Sequence, residues 1–190
     1  MSLRALNAMT LKLPRLVRRF SGDRRGVSAV EFALLAPVMI ALYLGLVEIS
    51  DGIGVDRKVS LTAAALANLA AQETTISSGD MSNILDASSA IISPYSAANL
   101  TLTLSCLNID SNKNVTVKWS ETRNGTVLSG SVTIPDDLKV ADTQLILAQA
   151  SYAYTPVIGY TISGTLNLSD RMYMGPRITA PSYAGTACAS

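Results

Sequence analysis

Arg24-Arg25-Gly26-Val27-Ser28-Ala29-Val30-Glu31-Phe32 is the stretch that decides how this chain is organised. A basic segment stops at Gly26, and no charged residue occurs from Phe32 to Val47. One carboxylate, Glu31, stands at the lip of that uncharged run. Placing a carboxylate against hydrocarbon is costly on every scale, so an acid at this position points to a function. The competing reading is an interfacial glutamate that reaches up to the headgroups. As a helix, the 23 residues Val27–Ile49 measure about 34 Å, enough to cross a hydrocarbon core of about 30 Å with some tilt. Pro37 lies inside the run, where a proline removes one backbone hydrogen bond and favours a kink that membrane helices tolerate.

Charge is distributed unevenly about this run. Residues 1–26 hold seven Lys or Arg and a single acid, Asp23, whereas residues 27–190 hold eight basic and thirteen acidic residues. Basic residues beside an apolar helix keep that end on the cytoplasmic side, which would leave the C-terminal part exported. A nucleic-acid arm is the alternative reading of the basic segment. It is disfavoured because the segment abuts an apolar run and lacks interleaved aromatics, so no nucleic-acid partner is expected. With 48% hydrophobic and 15% charged residues, the composition fits a membrane-anchored protein and not a disordered one. A cleaved secretory signal requires a shorter apolar core and a small-x-small site, for which Gly52-Ile53-Gly54 is a poor candidate.

Beyond the apolar run the pattern predicts a break, then helices, then strands. Residues 50–54, Ser50-Asp51-Gly52-Ile53-Gly54, read as a hinge because each glycine weakens a helix by about 1 kcal/mol. Val55, Val59, Ala63, Leu66 and Ala70 recur at helical spacing up to about Glu73. A second helix is expected over Asp80–Ile92, capped by Asp80 and ended by Pro94. The period then changes to two. Leu100–Leu104 and Val115–Trp119 alternate as strands around the turn residues Asp110–Asn114. Asn124-Gly125 reads as a type I′ hairpin into Thr126–Leu128. Leu145–Tyr154 and Tyr160–Leu168 are further strands, joined by a turn at Pro156–Gly159. The expected fold class is α+β: a long N-terminal transmembrane helix and an exported domain, residues 55–190, of helices packed on an antiparallel sheet.

The opening stretch, extended through Ala33-Leu34-Leu35-Ala36-Pro37, resembles the start of TadE-like proteins of the tight-adherence (Flp) type IV pilus system. Tyr152-Ala153-Tyr154-Thr155-Pro156 and Asp170-Arg171-Met172-Tyr173-Met174-Gly175-Pro176-Arg177 resemble that family's late tyrosine-proline and proline-arginine segments. The resemblance implies a pilin-like minor pilin or pseudopilin whose leader, residues 1–26, is cut by a prepilin peptidase between Gly26 and Val27. It implies assembly roles for Glu31 and for Phe32, which stands where the family often has tyrosine. Glu31 would pair with the new Val27 amine of an adjacent subunit, since charges in low dielectric must be paired. Implied partners are the peptidase, related pseudopilins, the major Flp pilin and the inner-membrane assembly platform. The implied location is a single pass of the inner membrane, with a cytoplasmic N-terminus and a periplasmic domain that reaches the pilus or cell surface after assembly. An uncleaved membrane scaffold or adhesin domain is the alternative.

Export bears on the two cysteines, Cys106 and Cys188. An oxidising compartment favours a disulfide between them, and a loop of that length contributes about 4 kcal/mol on the chain-entropy model. Two separate thiols are the other reading. The chain has no histidine, hence no base for a Ser or Cys nucleophile, and two cysteines alone make a zinc site unexpected. No phosphate-binding glycine loop or carboxylate pair stands out, so no catalytic residue, metal or cofactor is expected. The far end of the apolar run carries Glu48 and Asp51, read as solvated interfacial acids.

Overall fold

The computed structural model describes residues 26–156 and 164–188. The chain divides after Leu46 into two units. Helix α1, Val27–Gln72, extends through 46 residues and keeps helical geometry at Pro37. In the first unit its exposed residues include Phe32, Leu34, Leu35, Val38, Met39 and Ile40. At 100° per residue these positions surround the axis, so this part of the helix is apolar on every side. In the second unit α1 becomes one-sided. Val55, Val59, Ala63, Leu66, Ala67, Ala70 and Ala71 are fully buried, while Ile53 and Leu61 on other faces are exposed.

The break expected at residues 50–54 does not occur, because α1 continues through Gly52 and Gly54. Two helical glycines cost about 2 kcal/mol relative to alanine. Burying Val55, Val59 and Leu66 contributes roughly 1.5–3 kcal/mol for each fully buried side chain, which outweighs that cost. Gly52 lies beside Tyr154, whose Cε1 would stand 3.7 Å from an added Cβ.

The second unit is α+β. After strand β1 (Thr75–Ile76) comes helix α2, Ser78–Ser89, continued by a 3₁₀ turn over Ala90–Ile92. Its N-cap is Ser77, not Asp80. The Ser77 hydroxyl accepts the Asp80 amide, and the Asp80 carboxylate accepts the Ser77 amide at 3.0 Å, a reciprocal capping box. The serine side-chain bond, then its backbone bond, holds the Asp80 carboxyl below the usual aspartate range. Strands β2 (Leu100–Ile109), β3 (Val115–Arg123), β4 (Thr143–Tyr154) and β5 (Leu166–Met174) form an antiparallel sheet in the order β3-β2-β4-β5. The expected Tyr160–Leu168 strand and its preceding turn lie partly outside the described residues; the observed strand begins at Leu166.

Register separates the two faces of the sheet. Leu102 pairs with Ala150, Leu104 with Ala148 and Cys106 with Ile146. This face forms one core with the buried stripe of α1 and with Met81, Ile84 and Leu85 of α2. A bulge between Cys106 and Leu107 interrupts the β2–β3 register. On the other face Leu107, Ile109, Val115 and Leu147 form a second core with Ile134, beneath a long connection after β3. The Val117 amide donates to Gly130 O at 2.9 Å within that connection.

Turn chemistry at Asp110–Asn114 joins β2 to β3, as the sequence indicates. The Asp110 carboxylate accepts the amides of Asn112 and Asn114, each at 2.8 Å. The Asn114 side chain leads the interactions that hold its carboxyl below the usual range. The Asn124-Gly125 reading is corrected. Asn124 has φ +56°, but Gly125 is not among the positive-φ residues, so no type I′ turn forms, and Thr126–Leu128 is not a strand. Tertiary contacts decide this corner instead. The Asn124 side-chain amide donates to Leu100 O at 2.9 Å, and Thr101 Oγ1 donates to Asn124 O at 3.1 Å.

The C-terminal residues return across the end of α1. The Arg177 amide donates to Ala71 O at 3.0 Å, and its guanidinium donates to Asn68 Oδ1 at 2.6 Å. These bonds satisfy a carbonyl and side chain in the last turns, where helices otherwise lack donors. Strand β6 (Ser182–Tyr183) then pairs parallel to β1.

Gly125 is required by close approach. A Cβ there would stand 2.6 Å from Thr101 Cγ2 and 2.9 Å from Thr122 Oγ1. Both threonines are β-branched and yield little. Gly125→Ala is expected to destabilise the second unit by about 1–3 kcal/mol, read as a lower denaturant midpoint with an unchanged slope.

Candidate functional site

Gly26 immediately precedes α1 and is exposed, with nothing within 4 Å of an added Cβ. Arg24 and Arg25, with the rest of the basic segment, lie outside the described residues. Val27 is the first residue of α1, and Glu31 and Phe32 follow one turn later, both exposed. Residues four apart share a helix face, so Val27 and Glu31 stand one above the other.

The helix that carries these residues is the one helix, among the described residues, long and apolar enough to cross a membrane by length and composition. Its most apolar stretch is only 11% buried. A core helix of a soluble domain would be mostly buried, so this stretch is a candidate membrane anchor.

Glu48 and Asp51, read together as solvated acids, separate in the structure. Asp51 is exposed, but Glu48 is 2% exposed. Glu48 is thus a buried acid, which corrects the sequence reading. No signal in the sequence distinguishes it from Asp51, because its burial depends on residues distant in the chain. Both carboxylates contribute to raising the Tyr154 hydroxyl pKa, after burial of the ring, which is the larger cause.

The two cysteines are brought together. Cys106 on β2 and Cys188 near the C-terminus are 82 residues apart in sequence, with Cα atoms 5.9 Å apart and sulfurs at disulfide distance. Both are fully buried. Their surroundings include Trp119, whose indole Nε1 donates to Pro181 O at 2.9 Å, and Tyr183, whose ring lies 5.6 Å from the tryptophan. The Tyr183 hydroxyl donates to Glu121 Oε2 at 2.9 Å. That bond, followed by burial, pushes its pKa up. Sequence reasoning assigned no role to Glu121, Trp119 or Pro181.

The arrangement is a single long helix, apolar all round in its first part and bearing one acid near its start, continuous with an α+β unit. A family model described as TadE-like protein matches residues 26–73. The matched segment begins at Gly26 and ends one residue past α1, so the match coincides with this helix. The match agrees with the resemblance carried by the opening residues and is consistent with a TadE-like protein of the tight-adherence pilus system. No curated protein and no solved structure matches the chain.

In denatured protein, Cys106 and Cys188 are expected to resist alkylation without reductant and to label together after reduction. The check is mass spectrometry of alkylated protein with and without a reductant. Equal labelling in both samples would mean two free thiols.

Proposed function

We propose that this protein is a membrane-anchored minor pilin or pseudopilin of tight-adherence pilus assembly, processed by a prepilin peptidase and without enzymatic activity of its own. The observation that carries the proposal is the coincidence of the TadE-like segment with a helix that starts directly after Gly26 and whose first part, before Val47, is apolar on every side and holds one acid, Glu31. The basic segment stays cytoplasmic, α1 anchors the chain in the inner membrane, and the second unit is exported. Cleavage after Gly26 frees the Val27 amine. Glu31 pairs with that amine on a neighbouring subunit and fixes axial register, because neither charge is stable alone in an apolar surround. The work is mechanical. Subunits wait in the bilayer, and their helices then enter, prime or support a filament together with related pseudopilins, the major pilin and the assembly platform.

Two substitutions test processing and pairing. Gly26→Val adds a branched side chain beside the scissile bond and should leave a precursor heavier by the 26-residue leader, seen by intact mass. Wild-type protein recovered from piliated cells with Met1 still attached would favour an uncleaved scaffold instead.

Glu31→Ala removes one half of the proposed pair, a loss that typically costs about 3–5 kcal/mol when the remaining charge is buried. The cost falls on assembly, since Glu31 takes no part in the core of the second unit. The variant should insert, lose its leader and accumulate, yet fail to support pili. Membrane level, leader removal and surface filaments are scored in one strain. Normal piliation would reduce Glu31 to an interfacial residue, and loss of the protein itself would assign Glu31 to insertion or stability.

A further inference from the structure

The C-terminal segment 175–188 crosses the second unit as a strap with few holdings of its own. Outside its strand pairing, its backbone bonds to the rest of the unit include the Arg177 amide on Ala71 O and the Ser182 amide on Thr74 O, at 3.0 and 3.2 Å. Its pairing with β1 extends over two residues. Side-chain anchors include Arg177 on Asn68, Tyr183 on Glu121, the Ser182 hydroxyl on Thr75, and Pro181, whose carbonyl accepts the Trp119 indole; Ala180 and Tyr183 also pack on the edge of the main core. Gly175, residues 177–179 and residues 184–187 are exposed. At the far end Cys188 is fully buried and tied to Cys106 in the middle of β2.

These features separate the strap from the sheet beneath it. Leu102, Leu104, Ile146 and Ala148 are buried with α1 residues such as Val59 and Leu66, a core made mainly without the strap. A segment with exposed backbone and scattered anchors sits at the low-stability end of a fold. Ordering it costs conformational entropy, and a covalent tie at its end lowers that cost by keeping the strap near its seat.

We propose that segment 175–188 is a redox-latched strap: the Cys106–Cys188 disulfide holds it across the end of α1, and reduction releases it while the four-stranded sheet stays folded. Closing the latch joins two thiols into one disulfide, and two electrons and two protons pass to a disulfide-type thiol oxidant. The latch closes only where such an oxidant is present, so a capped α1 and a covered Trp119 mark a domain that has reached an oxidising compartment. After opening, the Cys106 thiol remains in the core as a small apolar group. This inference is independent of any role in pili.

The test uses the full-length protein in detergent micelles. Hydrogen exchange and fluorescence are compared for oxidised protein, for protein reduced with dithiothreitol, and for the double variant Cys106→Ser, Cys188→Ser without reductant. Dithiothreitol supplies the two electrons and two protons and becomes a cyclic disulfide. Trp119 is the only tryptophan and its indole donates to Pro181 O in the strap, so its emission reports on the strap's seat, with exchange in the sheet read beside it. The expected result is exchange at the Arg177 and Ser182 amides at least about tenfold faster in both opened forms. Trp119 emission should shift to the red, while exchange at Leu104 and Ala148 stays unchanged. Unchanged protection at Arg177 and Ser182 would overturn the proposal, because the strap would then be held without the latch. Equal loss of protection in the sheet would also overturn it, because the disulfide would then be a staple of the whole domain.

Discussion

Backbone amides and carbonyls find no water in hydrocarbon, so an apolar run of membrane length can satisfy them only as a helix. Helix α1, the candidate anchor, has this form from Val27, and the main core of the second unit depends on its continuing to Gln72. Its later turns supply the buried stripe Val55, Val59, Ala63, Leu66 and Ala70 against which β2 and β4 close the main core. Had the chain left the helix at Gly52 or Gly54, the sheet would have lost the apolar face that covers Leu102 and Leu104. The same helix therefore has two characters, with apolar residues on all sides in one unit and a buried apolar stripe on one side in the other.

The end of α1 presents the opposite problem, since its last carbonyls lack amide donors from the helix itself. The chain brings a donor from more than a hundred residues away, the Arg177 amide on Ala71 O. The proline-arginine segment after β5 thus has a structural role at the helix end. The return path leads on to the Cys106–Cys188 pair. A bond closing so long a loop acts chiefly on the conformational freedom of the open chain.

Two glutamates illustrate how little residue type alone decides. Glu31 and Glu48 bracket the same uncharged run, yet in the structure Glu31 is exposed and Glu48 is buried. The first takes its significance from its place one turn after Val27, a local relation. The second takes it from the folded domain around it, where Tyr154 has its hydroxyl pKa raised chiefly by burial, with Glu48 the smallest contributor.

Local physics was sufficient for several elements. Charge asymmetry and an uncharged run gave the candidate membrane helix, helical spacing gave the buried stripe of α1, and strict alternation gave β2 and the start of β3. Asp110-Ser111-Asn112-Lys113-Asn114 gave the turn between them, because an aspartate can bond its own neighbouring amides. The opening motif pointed to the family whose model matches residues 26–73. Other features required the fold. The helix runs through Gly52 because burial on its later turns outweighs a local cost. Asn124-Gly125 fails to form the hairpin its dipeptide favours because Leu100 and Thr101 claim Asn124. The parallel pairing of β1 with β6, the bond from Trp119 to Pro181 and the burial of Glu48 left no local trace. Each joins residues far apart in the chain, and a pattern of near neighbours carries no information about which distant partner will arrive.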